Sequence, residues 1–267
     1  MKKKTVLILI IVSLISLIYI HNIYNKKSSV TTNGTPTNNK KIAWGLKREN
    51  NNLQPQFNKS DTDVLDKYNG IYVGNKDKKY VYLTFDEGYE NGYTNQILDI
   101  LKKCNVPAAF FITGDYLKTS GDIVQRIINE GHIVGNHTNS HPSIPSLNTK
   151  EKIENELKNL ENKVMDKYGY QMKYFRPPMG EFSEYSLNTI NNMGYTTVMW
   201  SFAYDDWNVN NQKGIEYAKD KILKNIHPGA ILLLHAVSKD NANVLEEVII
   251  EIRNMGYEFK SLEEFEK

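Results

Sequence analysis

Between residues 79 and 259, short apolar runs alternate with amphipathic stretches, and this alternation constrains the fold more than any other feature. The first run, Val81-Tyr82-Leu83-Thr84-Phe85, reads as a buried strand. It ends in two adjacent carboxylates, Asp86 and Glu87, followed by Gly88. Further strands are predicted at 108–112, 132–135, 173–175, 196–201, 230–234 and 257–259. Helices are predicted between them at about 93–104, 121–130, 149–168, 183–194, 214–225 and 240–255. Glycines at 131, 169, 194 and 256 stand where several of these helices must stop. Strands alternating with helices imply an α/β protein with a parallel sheet and right-handed crossovers. An open doubly wound sheet and a barrel fit the pattern equally.

In such folds chemistry gathers at the carboxyl ends of the strands. That is where this chain places its reactive side chains. His137 and His141 follow the third predicted strand, Arg176 the fourth, Asp206 and Trp207 the fifth, and His235 the sixth. Two imidazoles four residues apart can reach one metal from a helix or a tight loop. Glu87 or Asp86 can add a carboxylate. Two histidines and a carboxylate, with a position left for water, form a recurrent hydrolytic metal site. Hydrolysis also needs a base and an acid; Asp86 suits the first and His235 the second. Singly, each residue has a plainer reading: an acidic turn, capping histidines, a surface ion pair for Arg176, core packing for Trp207 and His235. Their occurrence together, each just past a strand, favours chemistry.

The rest of the sequence bounds where such a domain works. Lys2-Lys3-Lys4 precede an almost unbroken apolar run from Val6 to Ile20 without small residues for cleavage at its end. Residues 1–27 therefore read as a signal-anchor, or as a signal peptide, and place the domain outside the cytoplasm. Residues 28–43 are rich in Ser, Thr, Asn and Pro and read as a flexible linker. Residues 44–78 read as an irregular extension packed through Trp44, Tyr68, Ile71 and Tyr72, and 79–267 as the catalytic domain. Five of the 33 basic residues lie in 1–27; the other 28 face 31 acidic ones. A nucleic-acid partner is not expected from that balance. A single cysteine, Cys104, excludes an intrachain disulfide and any CxxC site.

The ordered segments Thr84-Phe85-Asp86-Glu87-Gly88, His137-Thr138-Asn139-Ser140-His141-Pro142, Arg176-Pro177-Pro178-Met179-Gly180, Asp206-Trp207 and Leu233-Leu234-His235 resemble the five motifs of the polysaccharide deacetylase family with the NodB homology domain. The resemblance covers about residues 79–265 and implies a distorted (β/α)7 barrel. It implies Asp86 as general base, Arg176 as its orienting partner, and His235 as general acid held by Asp206. It implies His137, His141 and the second acid of the first motif as ligands of a divalent metal, usually zinc, with Trp207 in the substrate groove. That second acid is usually Asp; here it is Glu87, whose longer side chain requires a shifted metal or loop.

Tyr89-Glu90-Asn91-Gly92-Tyr93-Thr94, Val237-Ser238-Lys239-Asp240-Asn241-Ala242 and the stretch around Trp44-Gly45-Leu46-Lys47 are similar to one subgroup, the delta-lactam-biosynthetic de-N-acetylases of spore cortex peptidoglycan. The implied substrate is N-acetylmuramic acid in peptidoglycan strands, contacted by Tyr89 and Trp207. Its lactyl carboxylate needs a cation, for which Lys239 and Arg176 are the candidates. The competing readings are a deacetylase of N-acetylglucosamine or chitin-like chains, and a glycan-binding protein without activity.

Overall fold

The computed structural model describes residues 38–267. The expected membrane segment, and the linker up to residue 37, lie outside the described residues. Seven strands form one parallel sheet: β1 (Tyr80–Glu87), β2 (Ala108–Ile112), β3 (Ile133–Asn136), β4 (Tyr174–Phe175), β5 (Thr196–Thr197), β6 (Ala230–His235) and β7 (Glu258–Phe259). Their order is β6-β1-β2-β3-β4-β5, with β7 paired to β1. Beyond β5 the chain bonds back to β6. The Ser201 and Phe202 N–H groups donate to the Ile231 carbonyl at 3.0 and 3.2 Å, and the Leu233 N–H donates to the Phe202 carbonyl at 2.9 Å. These bonds curl the sheet into a distorted barrel and decide between the two arrangements the alternation allowed.

The helices wrap this sheet: α1 (Thr94–Cys104), α2 (Gly114–Thr119), α3 (Gly121–Asn129), α4 (Lys150–Tyr168), α5 (Glu184–Asn192), α6 (Ile215–Lys224) and α7 (Lys239–Asn254). Strand β1 sorts its side chains by parity, because successive residues face opposite sides of a sheet. Val81, Leu83 and Phe85 pack with Ile97, Leu98 and Leu101 of α1 and with Ile252 of α7. Tyr82 instead joins Phe111, Ile133, Val198 and Ile231 inside the barrel. Phe85 is fully buried and stacks on Phe110 with centroids 5.1 Å apart, so truncating it to Ala costs about 3–5 kcal/mol.

Three differences from the sequence-based expectation have local causes. The strand expected at 196–201 is regular only at Thr196–Thr197, because the next residues split their backbone bonds between two partners. Met199 N–H donates to the Ile71 carbonyl at 2.8 Å, whereas Ser201 and Phe202 turn to β6. Helix α2 spans six residues, too few to show a period. The extension at 44–78, expected to be irregular, holds the helix Lys59–Lys67, whose Asn58 cap accepts the Ser60 N–H. Only Leu65 of that helix is buried, so it has almost no apolar stripe to read. Trp44 and Tyr68 pack with Phe182 and Met199 and anchor the extension to the domain.

Candidate active site

The parity of β1 carries through to its last two residues. Asp86 continues the inward row and reaches a groove of about 660 Å³ at the carboxyl ends of the strands. His137, His141 and His235 line the same groove, as do the half-exposed Tyr89 and the exposed Trp207. Glu87 takes the outward row. Its carboxyl lies by Thr94, with Oε1 3.5 Å from the Thr94 hydroxyl, and by Glu90.

Arg176 is wholly buried and serves Asp86. Its Nη1–H donates to Asp86 Oδ1 at 2.8 Å. Nε–H donates to the Val198 carbonyl at 3.1 Å, Nη2–H to the Met199 carbonyl at 3.4 Å, and the guanidinium lies 4.2 Å from the Phe111 ring centre. The extended segment after β5 therefore supplies the acceptors that fix Arg176. Burial by itself would raise the Asp86 pKa. Arg176, then His137 and His235, outweigh burial and hold the carboxyl below its ordinary range. Asp86 is thus a carboxylate at neutral pH.

His235 is built the opposite way. Its Nδ1–H donates to Asp206 Oδ1 at 2.8 Å, and its backbone N–H donates to Asp206 Oδ2 at 2.8 Å. Burial pushes the imidazole down, but the Asp206 carboxylate outweighs it and raises the pKa above the usual value. With Nδ1 engaged, Nε2–H is the free donor. The Asn241 side-chain amide donates to Asp206 Oδ2, and the Tyr204 hydroxyl donates to Asn241 Oδ1. Sequence reasoning missed this supporting pair. Its one sign was a polar Asn on the side of α7 that otherwise buries Ala242 and Leu245.

His137 and His141 sit on a loop rather than a helix. Thr138 and His141 have left-handed φ values of 68° and 58°, and the His141 N–H donates to Thr138 Oγ1 at 2.9 Å. The loop is pinned to α4, where Asn139 N–H donates to the Glu156 carbonyl at 3.1 Å and Ser140 N–H to its carboxylate at 2.9 Å. The two rings stand with centroids 4.9 Å apart. Burial lowers both pKa values, that of His137 to about 4, so both rings are neutral and carry lone pairs. The His137 Nδ1–H donates to the Arg176 carbonyl at 2.8 Å, which leaves Nε2 facing Asp86 Oδ2 at 3.5 Å. Bonding the far nitrogen in this way is how proteins orient a metal-binding imidazole.

Two expectations are corrected. Glu87 does not join the two imidazoles. Its parity on β1 sends it to the helix side, and Oε2 is buried without a hydrogen-bond partner. Burial, then Glu90 and Asp86, raises its pKa well above the ordinary value, which favours the neutral acid. Among the described residues no three His, Cys, Asp or Glu side chains form a metal cluster. The donor set beside the groove is two neutral nitrogens, with the Asp86 carboxylate 3.5 Å from His137 Nε2 and Glu87 outside it. The second correction concerns the cations. Arg176 is consumed by Asp86 and two carbonyls, and Lys239, exposed in the first turn of α7, does not line the groove. His132 and His227 bond within the fold: His132 Nδ1 accepts the Ala108 N–H at 3.3 Å and His227 Nε2 lies 2.8 Å from Ser201 Oγ.

The groove wall opposite Tyr89 is made by the turn after Arg176. Gly180 has φ +66°, and a Cβ there would meet Trp200 Cη2 at 2.7 Å, so this close approach requires glycine. Met179, with φ 58°, is exposed on the groove.

A family model described as polysaccharide deacetylase matches residues 73–198. The peptidoglycan-N-acetylmuramic acid deacetylase PdaA of Bacillus subtilis is 46% identical over 86% of this chain and 88% of its own length. The chain belongs to the polysaccharide deacetylase family. Another relative, a peptidoglycan-N-acetylglucosamine deacetylase of Bacillus cereus, is 34% identical over 74% of this chain and 72% of that one. The structure of Bacillus subtilis PdaA, described as a family 4 carbohydrate esterase, superposes with a TM-score of 0.83 at 45% identity, over 85% of this chain and 97% of that one. The opposed pairs Arg176–Asp86 and Asp206–His235 are therefore this polysaccharide deacetylase's candidate machinery.

Proposed function

We propose that the protein removes the N-acetyl group from N-acetylmuramic acid in peptidoglycan strands. The observation that carries this reading is the groove in which a carboxylate with a lowered pKa faces an imidazole with a raised one. Asp86 takes a proton from water as the oxygen attacks the acetamide carbonyl. The tetrahedral intermediate collapses as His235 Nε2–H protonates the departing amine. Acetate and the free amino sugar leave. Arg176 keeps Asp86 aimed and ionised, and Asp206 does the same for the protonated His235. Trp207 and Tyr89 offer aromatic faces to the sugar rings.

His137 and His141 would offer two nitrogen ligands to a divalent ion such as zinc, which would polarise the acetamide carbonyl, and Glu87 would not be among its ligands. The muramic assignment rests on the PdaA relative. In this reading the freed amine closes on the lactyl carboxylate to form muramic delta-lactam in spore cortex, and residues 1–27 hold the domain at the outer face of the membrane.

The test is to offer peptide-stripped peptidoglycan strands and chitin oligomers at equal acetyl concentration, measuring acetate release and the mass of the products. Loss of one acetyl per muramic unit is expected. Faster release from chitin oligomers overturns the muramic assignment.

A further inference from the structure

A second hollow, of about 410 Å³, adjoins the catalytic groove and shares Asp115 and Asn139 with it. Lys118 of α2 and Lys163 and Lys167 of α4 line it, against the single carboxylate of Asp115. Lys163 and Lys167 are one helical turn apart, so their like charges repel on one face. Elsewhere on α4, Lys150 and Lys158 pair with Glu154 at 3.6 and 3.1 Å. Among the described residues, Lys118, Lys163 and Lys167 have no carboxylate within 4.0 Å. Lys163 Nζ donates instead to Asn139 Oδ1 at 2.9 Å, on the loop between His137 and His141.

The groove itself is lined by no Lys or Arg among the described residues. A muramic strand brings carboxylates at regular intervals, and the hollow gathers cations at the groove's edge. Three ammonium groups in one concave site suit a carboxylate. We propose that Lys118, Lys163 and Lys167 form a subsite for the lactyl carboxylate of a muramic unit flanking the one deacetylated on the same strand. This rests on the muramic reading above. A stem-peptide carboxylate has the same chemistry, so the test separates the two sources.

Binding is measured directly, by calorimetry, in the inactive His235→Ala background, for the parent domain and for Lys118→Gln/Lys167→Gln, so that no acetyl is lost during the titration. Both side chains are exposed, so the fold is expected to persist, and a thermal melt checks this. Lys163 is left in place because it holds Asn139. Three ligands are used: peptide-free strands, stem-bearing strands, and peptide-free strands with their carboxyls reduced to alcohols. The double variant should bind peptide-free strands roughly tenfold more weakly and carboxyl-reduced strands equally well, the range expected for two charge-assisted contacts. Equal affinity for peptide-free strands in both proteins overturns the subsite, as does an equal loss on reduced strands. Loss confined to stem-bearing strands overturns the lactyl assignment. Acetate release by the same proteins with His235 intact reports on the deacetylase reading separately.

Discussion

Asp86 and His235 are register partners on the adjacent parallel strands β1 and β6. Neighbouring strands lie about 4.8 Å apart, and paired residues of a parallel ladder face the same side. The proposed base and acid are therefore placed to flank one acetamide without any loop having to deliver them. Each is tuned by a partner from farther along the barrel: Arg176 from the end of β4 and Asp206 from the turn after β5.

Removing either group should stop turnover, and Asp86→Asn should also cost stability, because it leaves the buried Arg176 guanidinium without its counter-charge. Asp86→Asn and His235→Ala are each expected to lower kcat by about a hundredfold or more, the usual span for general acid–base groups. Acetate release measured beside circular dichroism checks this. Near-parental turnover in either variant removes that residue from the mechanism.

Arg176 acts only through Asp86 in this reading, and its loss likewise strands a buried charge, the Asp86 carboxylate. Arg176→Met is expected to destabilise the domain by about 3–5 kcal/mol, besides abolishing activity. Urea denaturation measures the loss. Arg176→Met/Asp86→Leu removes both charges and should recover part of that stability, so a double variant no better than the single one sinks the account.

The pH profile follows from the two shifts. Asp86 must be ionised, and its lowered pKa places the acid limb of kcat/KM below the ordinary carboxylate range. His235 must be protonated, and its raised pKa places the alkaline limb above the ordinary imidazole value. In stability, the Asp86 contribution is present above the unfolded pKa and lost as pH falls through the lowered folded value. The His235 contribution is full below the unfolded pKa and lost as pH rises through the raised folded value. Asp206→Asn removes the charge that raises His235, so the alkaline limb should move to lower pH. An unmoved limb assigns it to another group.

Metal binding should depend on the histidines and not on Glu87. A buried carboxyl that is not a metal ligand is matched in shape by an amide, so Glu87→Gln should leave zinc affinity unchanged. His137→Ala should lose most of whatever zinc the domain binds. Calorimetric titration separates the outcomes, and a Glu87→Gln variant that loses zinc while His137→Ala keeps it reverses the assignment.

The alternation of apolar runs and helical stripes, together with His137, Arg176, Asp206 and His235 just past their strands, determined the α/β class and most of the groove from sequence alone. Both signals are local: residue period and position relative to a strand end survive without knowledge of packing. Barrel closure was not legible, because it depends on where Phe202 finds Leu232, and no period records that partner. The direction of Glu87 was set by the same parity that makes β1 a strand, but choosing which row faces the groove required the packed helices behind it. The fate of the cations was decided only by tertiary structure. Arg176 is spent on Asp86 and Lys239 lies off the groove, whereas Lys118, Lys163 and Lys167, from two separate helices, converge because α2 and α4 lie against each other. Charge convergence across elements is a property of the assembled fold, and the linear order of residues does not contain it.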